Sequence, residues 1–128
     1  SFHVSDIPPV SLNQIYKGIH WSERKKYRDT WHEAFTGWHS TKFDKPVYMS
    51  YVFFLKKPMD STNLAFMAKL IEDSLVEDGV LVNDSSAFVL ATQLIPIRDN
   101  KENHVFVHIN DEDSVSYSRL IELANDSD

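Results

Sequence analysis

The sequence predicts an α+β domain: a mixed β-sheet with two main helices packed on it and a short helix at the C-terminus. Three observations carry that expectation. Residues 22–35 (SERKKYRDTWHEAF) and 62–78 (TNLAFMAKLIEDSLVED) bring apolar side chains round at helical spacing. Residues 46–55 (PVYMSYVFFL) are β-branched and aromatic, with too little polar alternation for a strand that wets one face, so they belong inside a sheet. Two further apolar runs, 86–97 (SAFVLATQLIPI) and 104–109 (HVFVHI), flank the polar turn 98–103 (RDNKEN) and read as a hairpin.

In chain order, FHVSDI is a short first strand, and residues 8–21 read as a loop punctuated by Pro8, Pro9, Asn13 and Gly18. Ser22 caps the first long helix, whose buried stripe is Tyr27, Trp31, Ala34 and Phe35. Arg24, Lys25, Lys26 and Arg28 fall largely off that stripe, and Gly37 ends the helix. In the second, Leu64, Met67, Ala68, Ile71 and Leu75 share one side. Thr62, Lys69 and Asp73 gather opposite, within about 40° of one another, and Gly79 stops the helix. Residues 113–124 form the last helix, carrying Tyr117, Leu120, Ile121 and Ala124, and the final NDSD is expected to be disordered. His104 and His108 share a strand face about 13 Å apart, too far to share a metal, and read as surface histidines.

At 128 residues the chain is long enough for one domain that needs no crosslink. It has no cysteine, which excludes disulfides and thiolate metal sites and is compatible with a reducing cytoplasm. No apolar run approaches the roughly 18 residues of a membrane span, and no leader pattern opens the chain. The expectation is a soluble cytoplasmic protein with no membrane partner. Net charge is −6, but it is divided unevenly. Residues 1–69 carry ten Lys and Arg against six Asp and Glu, and residues 70–128 carry three against thirteen. A polyanion partner needs local positive surface rather than a positive total, so Lys17, Arg24, Lys25, Lys26 and Arg28 are candidate DNA contacts. The plain alternative is a solvated basic face.

The stretch from Asp60 to Asp84 holds the residues that point to chemistry. Asp60 stands where a strand gives way to a helix, Asn63 at the helix start, Lys69 and Asp73 one turn apart, and Asp84 beyond Gly79. Carboxylates suit Mg²⁺, a hard cation, and a lysine near a scissile phosphate offsets charge built in the transition state. The helix sets the two acids about 25 Å apart along its axis unless VLVND runs back beside Asp60. Lys69 and Asp73 can equally be an ordinary salt link.

Asp60-Ser61-Thr62-Asn63-Leu64, then Lys69 and Asp73, then Gly79 through Asn83-Asp84, resembles the RusA family of Holliday-junction resolvases. That family's pattern is D-x-D-N-L, a helical Lys and Asp, then G-x-x-x-D-D. PPVSLNQIY resembles its P-P-S-x-N-x-x-Y signature, with Asn13 on the asparagine, and the likeness covers about residues 3–110. It implies a RusA-like fold with a nuclease domain over residues 1–110 and an acidic helical appendage over 111–128. It further implies a homodimer of prokaryotic or phage origin that resolves four-way DNA junctions by paired nicks with Mg²⁺, Mn²⁺ substituting. By position, Asp60, Asp84 and Thr62 would hold the metal and Lys69 and Asp73 would complete the catalytic set, with Asn63 and Asn13 as structural support. Thr62 and Asn83 stand where the pattern has acids, and three extra residues separate Asn63 from Lys69, close to one full turn. The same scaffold without chemistry, binding junctions or another protein, is the alternative.

Overall fold

A computed structural model describes residues 2–18, 21–35, 42–83 and 85–126, the side chains of residues 12, 16 and 21 apart. Four strands form one mixed sheet: β1 (Phe2–Ser5), β2 (Val47–Leu55), β3 (Val89–Arg98) and β4 (His104–Asn110), in the order β1-β4-β2-β3. β4 runs antiparallel to both β1 and β2, whereas β3 runs parallel to β2. Among the described residues, four helices accompany it: α1 (Leu12–Tyr16), α2 (Trp21–Phe35), α3 (Ala65–Glu77) and α4 (Tyr117–Asp126). The α+β architecture is as the sequence predicts.

β2 explains the arrangement. Met49, Tyr51, Phe53 and Leu55 point to one face and Val52 to the other, all buried, and β4 and β3 pair with its two edges. α2 and α3 cover the first face through Trp31, Phe35, Met67, Ile71 and Leu75. α4 covers the second, setting Leu120 and Ala124 against Val52, Ile95 and Phe106. The acidic helix therefore packs on the opposite face of the sheet from α2, which separates it from Arg24 to Arg28 within one chain.

Four expectations are corrected. β3 and β4 are not a hairpin, because β2 lies between them and residues 99–103 cross its end. The backbone N–H of Asp99 donates to the Leu55 carbonyl at 3.0 Å, and that of Lys56 to Asn103 Oδ1 at 2.9 Å. A doubly buried strand needs a partner on each side, and that demand outweighs the local turn signal. The stretch read as a loop contains α1, because Ser11 and Gln14 form a capping box: Gln14 N–H donates to Ser11 Oγ, and Ser11 N–H to Gln14 Oε1. His104 and His108 are half-buried rather than surface residues. His104 stacks on Phe54 with ring centroids 4.4 Å apart, and burial pushes the His108 ring toward its neutral form. The first long helix begins at Trp21, with Ser22 inside its first turn, and Gly37 lies outside the described residues.

α3 is entered through a 3-10 turn, Ser61–Leu64, and ends as expected at Gly79. Gly79 takes φ +79°, its N–H donates to Val76 O at 3.0 Å, and Val80 N–H reaches Leu75 O at 2.9 Å. That pair of bonds closes a helix through a left-handed residue, a conformation that glycine adopts without a Cβ penalty.

Two outcomes follow. Leu120→Ala should destabilise the chain by about 2–5 kcal/mol in denaturant unfolding, since it opens a cavity against the second sheet face. Truncation after Asn110 should yield an aggregating protein by light scattering, because Val52 and Phe106 become wet. Asp99 reports on the crossover. Its carboxylate accepts from Lys101 N–H at 2.8 Å and Glu102 N–H at 3.3 Å, and lies 2.8 Å from His104 Nε2. The Lys101 bond first and His104 second lower its pKa from 3.8 to about 2. A depressed folded-state value gives stability present above the unfolded value and lost as pH falls, here between about pH 4 and 2. Asp99→Asn should flatten that part of a stability-against-pH curve and leave its shape above pH 5 alone.

Candidate nucleic-acid interface and metal-ligand residues

α2 and α3 lie side by side on the sheet, joined at one end by His32 Nδ1 and Glu77 Oε2, 3.6 Å apart. Between them opens a groove of about 440 Å³, lined by Arg24, Lys25, Arg28, Phe66, Lys69, Leu70 and Asp73. Helical geometry selects these residues. On α2, Arg24 and Arg28 lie 40° apart with Lys25 beside them, while Lys26 is turned some 160–200° away. On α3, Phe66, Lys69, Leu70 and Asp73 form the flank next to the buried stripe. Four cations thus face one carboxylate in a groove floored by apolar side chains.

Lys69 Nζ donates to Asp73 Oδ1 at 2.9 Å, with the two side chains 56% and 42% exposed. An exposed pair of this spacing stabilises a helix by only a few tenths of a kcal/mol. Its consequence is positional: the ammonium is held on the groove wall. Glu72, next in sequence to Asp73, turns elsewhere, with one carboxylate oxygen buried. Burial first, and the charge of Glu72 second, push the Tyr51 phenol well above its ordinary value, so it stays neutral beneath α3.

Of the expected DNA contacts, Arg24, Lys25 and Arg28 join Lys69 and Asp73 in the groove. Lys26 lines a separate cleft with Pro8, Glu23, Tyr27 and Thr30. Lys17 stands exposed at the C-terminal cap of α1. Asn13 and Asn63, fifty residues apart, meet: Asn63 Oδ1 accepts the Asn13 N–H at 3.1 Å, satisfying a free donor in the first turn of α1. That bond ties α1 to the 3-10 turn that opens α3.

Asp60 precedes that turn, exposed, and its side chain makes no capping bond, so its oxygens are open to a cation. Thr62 is exposed beside it. Asp84 lies outside the described residues. Its neighbours stay at the start of β2: Phe43 N–H donates to Val80 O at 2.8 Å, and Val47 N–H to Phe88 O at 2.7 Å, one turn from Ser85. Asp60 instead follows the end of β2, a strand about 26 Å long at 3.3 Å per residue. Among the described residues, no group of three or more His, Cys, Asp or Glu side chains is placed to hold a metal ion. Nor, among them, is any helix long and apolar enough to cross a membrane.

No protein-family model matches the chain, and no curated protein does. The functional reading therefore rests on the motif residues and the geometry around them. Sequence reasoning missed the Asn13–Asn63 bond, for which no local signal exists, and the separation of Lys26, which a helical wheel of α2 would have found. Asn63→Ala should lower unfolding free energy by about 1 kcal/mol, and Asn63→Asp, which keeps an acceptor, by less.

Proposed function

We propose that the chain is a Mg²⁺-dependent, structure-specific DNA endonuclease of the RusA type that resolves four-way junctions as a homodimer. The observation that carries this is the α2–α3 groove, where the Lys69–Asp73 pair of the motif shares one cavity with Arg24, Lys25 and Arg28. Cations on a groove between two helices suit a phosphodiester backbone, whose charges they neutralise with release of counterions. In this reading Lys69 sits against the scissile phosphate and Asp73 holds it there. Asp60 and Asp84 are the metal ligands, and their oxygen donors suit a hard cation. Bound Mg²⁺, or Mn²⁺ in its place, supplies charge neutralisation at the phosphate and an activated water.

Chain order bears on the dimer. Asp60 follows the end of β2 and Ser85 adjoins its start, so in this reading each metal site joins Asp60 of one copy to Asp84 of a second. A symmetric pair of such sites accounts for two opposed nicks. A second reading keeps binding and loses cleavage, and Thr62 favours it, since a neutral hydroxyl binds a hard cation far more weakly than a carboxylate.

A synthetic four-way junction, incubated with and without Mg²⁺, tests both. Paired symmetric nicks only with Mg²⁺ are expected, and binding without nicks selects the second reading. Asp60→Asn and Asp84→Asn should each abolish nicking while junction binding persists. Mixed together, the two variants should regain nicking, because the mixed dimer holds one intact site. Wild-type activity without such rescue would place both acids in one chain's site.

A further inference from the structure

We propose that Lys56 and Lys57 form a second phosphate-backbone contact, on the other side of Asp60 from the α2–α3 groove; this rests on the nucleic-acid reading above. The two lysines lie on the segment that carries β2 into Asp60. They line a cleft of about 350 Å³ with Pro9, Gln14, Met59 and Asn103. Both are exposed, and among the described residues neither is paired with a carboxylate.

The cleft is built from fixed parts. Asn103 Oδ1 accepts the Lys56 N–H at 2.9 Å, and the Leu55 carbonyl accepts the Asp99 N–H at 3.0 Å, so the crossover holds the lysine backbone. Gln14 Oε1 is engaged by Ser11 N–H at 2.8 Å. Glu102, a neighbouring acid, lines a different cleft with His3 and His104. The ammonium groups are thus the solvated ends of a wall in which Gln14 and Asn103 are already hydrogen-bonded and Pro9 and Met59 are apolar. Such a wall strengthens the field of its charges toward a passing polyanion.

Position assigns the partner. Met59 lines this cleft and Phe66 lines the α2–α3 groove, so Asp60 and the 3-10 turn stand between two basic clefts in the chain. The Asn13–Asn63 bond fixes α1, one wall of the second cleft, to that same turn. In the proposed arrangement a strand seated in both clefts passes Asp60. Lys56 and Lys57 are then positioning residues that hold the backbone on the far side of the cleavage point, without sequence readout.

The test is the salt dependence of junction binding in Ca²⁺ without Mg²⁺, for the wild-type chain, the double variant Lys56→Ala/Lys57→Ala, and Arg119→Ala. Arg119 is a charge control on α4, across the sheet. Each phosphate contact contributes about 0.9 to the slope of log affinity against log salt. The double variant should lose about 1.8 of slope and bind more weakly at low salt, while Arg119→Ala keeps the wild-type line. Because the loop is held through backbone groups, the double variant should keep the wild-type melting midpoint. Equal slopes for the double variant and wild type overturn the proposal, as does an equal loss in Arg119→Ala. A wild-type chain that does not bind the junction overturns the nucleic-acid reading and this proposal together.

Discussion

The burial of β2 on both faces is the constraint from which the rest of the structure follows. A strand with Met49, Tyr51 and Phe53 buried on one side and Val52 on the other needs a covering layer on each face, and it lies at the centre of the sheet rather than at an edge. β4 and β3 supply the flanks, which forces residues 99–103 over its end. α2 and α3 supply one layer and α4 the other. The candidate site is a by-product of this geometry. α3 returns from the end of β2 to its start, so its exposed flank meets α2 along a groove and its two termini lie at opposite ends of the strand.

Charge is distributed along the same lines. Six basic residues of the first half border the groove or the segment leading to Asp60: Arg24, Lys25, Arg28 and Lys69 at the groove, and Lys56 and Lys57 at the end of β2. Much of the acidic excess lies beyond Asn110, on and around a helix that packs on the far face. A net charge of −6 thus coexists with a groove where four cations meet one carboxylate. The range of the field decides what DNA would feel, since about 10 Å of screening at 0.1 M salt separates the two faces electrically.

Much of the fold was legible because its signals are local or periodic. The apolar stripes of α2 and α3, the glycine stop at Gly79 and the aromatic density of β2 each carry a structural meaning in a few residues. The hairpin was misread because pairing is not local. The turn 98–103 favours adjacency, but only the burial of β2 on both faces reveals that another strand claims the space between. α1 was legible in principle, since Ser11 and Gln14 spell a capping box, but Pro8, Pro9 and Gly18 outweighed it. Of the site, Lys69–Asp73 and the Arg24/Lys25/Arg28 face were readable from helical spacing. Their convergence depends on how α2 packs on α3, which no spacing contains.

The separation between the Asp60 end and the Ser85 end of β2 limits what one copy of this fold can do. α3, thirteen residues long, spans about 20 Å at 1.5 Å per residue and is rigid, so side-chain motion does not close that distance. Carboxylates that share a metal must approach within a few ångströms of it. A helix capped at one end by the bond-pair at Gly79 and braced at the other through Asn63 does not shorten. The same rigidity suits a dimer. Two antiparallel copies of a stiff helix bring the start of one against the end of the other, at two places related by symmetry. Four-way DNA presents two equivalent strands in the same relation. In the assembly proposed above, the groove cations of each copy would steer one strand, and the length of α3 would set how binding and chemistry are joined.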